Sequence, residues 1–159
     1  MATNGNDGFM RRAIELSRTR LAAGEGGPFG AVVVKDGRII GEGWNQVVGT
    51  NDPTAHAEIV AIRAACRHLG NFSLAGAELY TSCEPCPMCL AATLWARIEG
   101  IFYGNTRDDA AAIGFDDEYF YREVMLPLGE RQLRAIRLLP DEARAVFTEW
   151  AAGSDRVKY

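Results

Sequence analysis

Residues 53–89 read PTAHAEIVAIRAACRHLGNFSLAGAELYTSCEPCPMC, and the order of elements within them decides the fold. A helix is expected from about Ala55 to Leu69, capped by Thr54, with His56 and Glu58 in its first turn. A short strand over Glu78 to Ser82 then leads to Pro85 and a second helix over Cys86 to Ala96. Upstream, Ala31 to Val34 and Arg38 to Gly43 have the composition of two strands joined by a hairpin turn at Lys35, Asp36 and Gly37. Before them, Phe9, Ala13, Leu16 and Leu21 recur near helical spacing, which predicts an amphipathic helix over Phe9 to Ala23 that stops at Gly24. The polar stretch Asn45 to Thr54 reads as a loop. Downstream, the pattern predicts a strand over Gly100 to Gly104, a helix around Glu118 to Met125, a strand at Leu133 to Leu138 and a last helix from Asp141 to Ala152. A hairpin followed by alternating helices and strands predicts one α/β domain over residues 1–159, a three-layer α/β/α sandwich around a central mixed sheet.

The chain has 159 residues, of which 48% are hydrophobic and 24% charged, a balance that supports a single core of ordinary size. Its longest apolar runs, such as Leu90 to Leu94, fall far short of the roughly 20 residues that span a bilayer. Met1 to Gly8 is small and polar, without the basic and apolar stretches of a secretory leader, so a cytoplasmic location is expected. A net charge of −4 argues against a broad grip on nucleic acid and favours a small neutral substrate. Arg97, Arg107, Arg134 and Arg137 are not placed by sequence, so a local basic stripe stays open. Four cysteines in such a chain are metal ligands or core thiols rather than a disulfide framework.

Their spacing separates the two. Imidazole and thiolate are good zinc ligands, and His56 with Cys86 and Cys89 leaves the fourth tetrahedral position open, as catalysis requires. Cys86 and Cys89 sit one turn apart at the start of a helix, where proline is tolerated and the helix dipole favours thiolate. His56 and Glu58 are turned about 200° apart on an ideal helix, so a metal held by His56 has to lie off the helix end. Glu58 then stands beside the open position without being a ligand, placed to take a proton from attacking water and return it to a leaving amine. A closed structural site is the alternative, with Cys83 as the fourth ligand, although such a site has no use for Glu58. Cys83 otherwise reads as a small packed thiol near the site, Cys66 as core, and His68 as a surface cap for the carbonyls at its helix end.

At these residues the chain resembles the cytidine deaminase superfamily and, within it, the guanine deaminases of bacteria. Gly26-Gly27-Pro28-Phe29-Gly30-Ala31-Val32, Asn51 through Glu58, Thr81 through Cys89 and Gly114-Phe115-Asp116-Asp117 carry the resemblance, which covers nearly the whole chain. It implies a cytidine deaminase-like fold and a zinc-dependent hydrolysis of guanine to xanthine and ammonia. It also implies a homodimer whose C-terminal segments are exchanged. Asn45 would hydrogen-bond the base near its carbonyl or ring nitrogen, and Asp117, or its neighbour Asp116, would accept from a base N–H. Tyr159 would close over a site as an aromatic lid, and Phe29 would offer a stacking face; the plainer readings are a turn at Asn45, a solvated Asp117, a free tail and a core Phe29 or Trp95. The rival activity is tRNA adenosine deamination, which shares the metal motif but not the Phe115-Asp116-Asp117 stretch. Guanosine, cytosine and aminotriazines remain as alternative substrates, and a zinc-stabilised scaffold remains as a reading without catalysis.

Overall fold

Val33 and Val34 mark the point where the opening hairpin departs from simple alternation. In the computed structural model, which describes residues 6–159, β1 (Gly30–Lys35) pairs with β2 (Arg38–Trp44) through a turn at Asp36 and Gly37, both at positive φ. Val33 opposes Gly41 while Val34 opposes Ile39, so Ile40 is an extra residue, a β-bulge. The bulge resets the faces of β2. Ile40, Gly41 and Gly43 all face one side of the sheet, while Ile39 and Trp44 face the other.

The side reached by Gly41 and Gly43 carries α3 (Ala57–Leu69). An added Cβ at Gly41 would stand 2.4 Å from the Ala61 carbonyl oxygen, and one at Gly43 would stand 2.1 Å from that of Ala57. Two glycines facing the stripe Ala57, Ala61 and Ala65 let helix and sheet backbones touch almost directly. β1 divides its side chains by parity. Ala31 and Val33 join Leu79 and Ile62 in the core under α3, whereas Val32 and Val34 join Leu16 and Tyr80 under α1 (Asp7–Ala22).

The sheet runs β2-β1-β3-β4, with β3 (Ala77–Cys83) antiparallel to β1 and β4 (Gly100–Asn105) parallel to β3. The parallel pair is connected through α4 (Pro87–Trp95), whose Ala92 packs on the α3 side. The mixed sheet between α1 and the α3/α4 layer is the expected three-layer α/β/α arrangement.

Several expectations are corrected. The loop after β2 contains a one-turn helix, α2 (Val47–Thr50), and a short helix α5 (Arg107–Ala112) follows β4, closed by a reciprocal Thr106/Asp109 capping box. Thr54 does not cap α3: its N–H and hydroxyl both bond to the Asp52 carboxylate, at 2.8 and 2.7 Å, and His56 occupies the cap position. Cys66 is half-buried rather than enclosed in the core, and Trp95 is exposed. His68 caps nothing. The carbonyls of Cys66 and Arg67 are met by the N–H groups of Asn71 and Gly70, with Gly70 in the left-handed conformation. After α6 (Asp117–Met125) and a 3-10 turn at Leu128–Glu130, Leu133 to Leu138 is irregular and forms no strand. The last helix, α7 (Pro140–Ala152), buries no residue. Residues 1–5, part of the polar stretch Met1 to Gly8, lie outside the described residues. No helix among the described residues is long and apolar enough to cross a membrane.

Candidate active site

Two helix N-termini meet at one point. His56 is the cap residue of α3 and Cys86 that of α4, both extended in backbone, and Pro87 takes the first helical position, where its missing N–H costs nothing. The Nδ1 atom of His56 lies 3.6 Å from the Cys86 sulfur and 3.5 Å from that of Cys89. Tetrahedral zinc with ordinary bond lengths separates a nitrogen from a sulfur ligand by about 3.6 Å. The three donors lie within 4.8 Å of one another and therefore fit that ion. Cys83, at the end of β3, is not among them; its thiol points to the Thr106 carbonyl, and burial pushes it up to about 12. The donor set is the three-ligand, open type.

Cys86 is brought down to about 4 by a hydrogen bond from Cys89 and another from His56, while the same bond and burial push Cys89 up. The bond to Cys86 also raises His56. Glu58, in the first turn of α3, is buried, and that burial raises its carboxyl; Thr81 of β3 donates to its Oε1 at 3.1 Å. Glu58 thus stands beside the three donors while its carboxylate lies outside their cluster.

A cavity of about 360 Å³, part of it open to solvent, lies over this centre. It brings together His56, Cys86, Glu58, Asn45, Asp117 and Phe29. Asn45 is buried, and its Oδ1 accepts from the Gly27 and Val47 N–H groups, each at 3.2 Å. Two donors aimed at one atom identify it as the oxygen, so Nδ2 is the atom left for the cavity. A Cβ on Gly26 would fall 2.3 Å from that oxygen, which explains the glycine. The turn-holding and base-facing readings of Asn45 are therefore two halves of one amide.

Asp117, the first residue of α6, faces the cavity and is half-buried, whereas Asp116 is exposed. Burial, followed by the Cys86 charge, raises the Asp117 carboxyl. Phe29 meets Phe115 edge to face at 4.8 Å between ring centres, and both line the cavity. Phe115 and Glu84, each expected from sequence only as part of a motif and without a role, also line the cavity, and the place of Glu84 directly before Pro85 and Cys86 is the signal for it. Tyr159 is not brought to this cavity. It packs instead against Phe72 and Trp95, at 6.2 and 5.7 Å between ring centres, near the outer ends of α3 and α4.

One histidine and two cysteines at paired helix ends, with a buried glutamate beside them, define a zinc-dependent deaminase site. Residues 4–105 match the cytidine and deoxycytidylate deaminase zinc-binding region, and the chain belongs to that family. It is 48% identical over 151 residues to the guanine deaminase of Bacillus subtilis, covering 95% of this chain and 97% of that one. The X-ray structure of that guanine deaminase superposes with a TM-score of 0.93 at 47% identity, over 98% of this chain and 99% of the other. The tRNA-specific adenosine deaminase of Haemophilus influenzae is 45% identical, over 70% of this chain and 66% of its own length.

Proposed function

We propose that this chain hydrolyses guanine to xanthine and ammonia. The observation that carries the reading is the reach of the similarity. The match to a guanine deaminase continues past the zinc-binding region through α5, α6 and the C-terminal third, where Phe115 and Asp117 lie, whereas the tRNA deaminase match covers 70% of the chain. The acidic balance of the chain favours a free base over tRNA in the same way.

His56, Cys86 and Cys89 would hold the metal, and zinc supplies the Lewis acidity that makes water a nucleophile near neutral pH. Glu58 accepts the proton of the attacking water and delivers it to the departing amine; its raised affinity for protons suits a group that must both take and give. Asn45 presents a donor, Nδ2, to the base carbonyl or a ring nitrogen, and Asp117 presents acceptors to its N–H groups. A donor beside an acceptor complements guanine, which carries both. Phe29 and Phe115 wall the cavity against water.

The C-terminal third bears on assembly. The whole chain forms one deaminase domain in the cytoplasm, working as a homodimer that exchanges its C-terminal segments, with Tyr159 closing the site of the neighbouring copy. Three features support exchange: α7 exposes Phe147 at 78%, the stretch before it exposes Leu133 at 80%, and the outer edge of β4 has no strand beside it among the described residues. Ammonia release from guanine, guanosine, cytosine, an aminotriazine and tRNA tests the substrate. Guanine should be turned over fastest, and preference for tRNA or a nucleoside would overturn the reading.

A further inference from the structure

α6 presents Asp117 to the cavity yet buries no residue of its own, so few apolar contacts hold it in place. A nine-residue helix is too short to be stable alone, and its position has to come from directional ties. Tyr121, one turn beyond Asp117 on the same face, supplies one of them: its hydroxyl donates to the Pro85 carbonyl at 2.6 Å. Pro85 directly precedes the ligand Cys86. The Tyr121 ring is itself covered by the Arg107 guanidinium, 4.7 Å from its centre. Arg107 donates its backbone N–H to Glu84 at 3.0 Å, and its Nε lies 3.7 Å from Glu118 of α6. Glu84 and Pro85 are thus gripped from both sides, by the start of α5 and by α6. Tyr121 does not line the cavity.

We propose that Tyr121 is a positioning residue for base recognition: its bond to the Pro85 carbonyl fixes the spacing between Asp117 and the metal ligands. The proposal rests on the reading of Asp117 as the base-recognising carboxylate. Tyr121→Phe removes the hydroxyl and keeps the ring under Arg107, so it isolates the tie. With the base that the parental enzyme deaminates fastest, Tyr121→Phe should raise KM about tenfold, the worth of one good hydrogen bond, with a much smaller change in kcat. Zinc per chain and the thermal midpoint should stay parental. In an Asp117→Ala background the same substitution should add almost nothing, because the two act through one contact. A parental KM for Tyr121→Phe beside an impaired Asp117→Ala enzyme overturns the tie and leaves Asp117 in its role. Parental kinetics for Asp117→Ala overturn both. Zinc loss from Tyr121→Phe, or full additivity of the two substitutions, also overturns the proposal.

Discussion

The sheet with α1, α3 and α4 and the stretch from α6 to Tyr159 follow opposite rules. In the first, Val32, Val33, Leu74 and Leu79 are fully enclosed by their own chain. In the second, Met125, Leu133, Leu138 and Phe147 are at least 77% exposed, and no residue of α6 or α7 is buried. Apolar area on that scale suits the exchange proposed above. The metal donors, Glu58 and Asn45 sit on the self-sufficient half, while Asp117 and Phe115, which would add to base recognition in the proposed reaction, sit where the second half begins.

Breaking each half should therefore have different signatures. The largest effect belongs to Glu58→Gln, which should lower kcat by about 10²–10⁴ while zinc content and thermal midpoint stay parental. Parallel loss of zinc would show that Glu58 shapes the site instead. If exchange buries Phe147, which the single chain leaves 78% exposed, Phe147→Ala should cost the assembly about 3 kcal/mol and shift sedimentation toward monomer at micromolar concentration. An unchanged oligomer would remove exchange as the explanation for α7. Gly43→Ala should cost about 1–3 kcal/mol in chemical denaturation at any protein concentration, since its Cβ would press on the Ala57 carbonyl within the self-sufficient half.

The smallest effect concerns pH. Glu42 accepts twice from Arg12, at 2.8 Å each, and that pair holds its carboxyl below the ordinary 4.5. A lowered folded value means that the stabilisation is complete above the unfolded value and fades as pH falls through the folded one. Both side chains are about one-third exposed, so water screens the pair and Glu42→Gln should cost under about 1 kcal/mol at pH 7. The gap to the parent should narrow as pH falls below 4.5 into the range where the folded carboxylate is itself protonated. A gap that persists there would assign the effect to packing.

The same division explains what could be read from sequence. The hairpin, α3, α4 and the three ligands were legible because local chemistry decides them: turn residues at Asp36 and Gly37, a proline at the start of α4, and thiols at ligand spacing. Thr54 was misread because Asp52 competes for the same hydroxyl, and α5 was missed although Thr106 and Asp109 spell out its capping box. Leu133 to Leu138 is rich in apolar residues but does not alternate strictly, and a strand also needs an edge to pair with, which composition alone does not supply. Asn45 and Asp117 were legible by resemblance, and what sequence could not supply was the two amide donors that decide which end of Asn45 meets the cavity.

The bulge at Ile40 has a consequence for how the chain folds. Without the extra residue, Gly41 and Gly43 would turn away from α3, and side chains would fill the gap that lets its backbone settle on the sheet. In a hairpin one residue out of step, α3 would lose its seat and His56 its place beside Cys86 and Cys89, so strand alignment and the assembly of the three donors share one determinant.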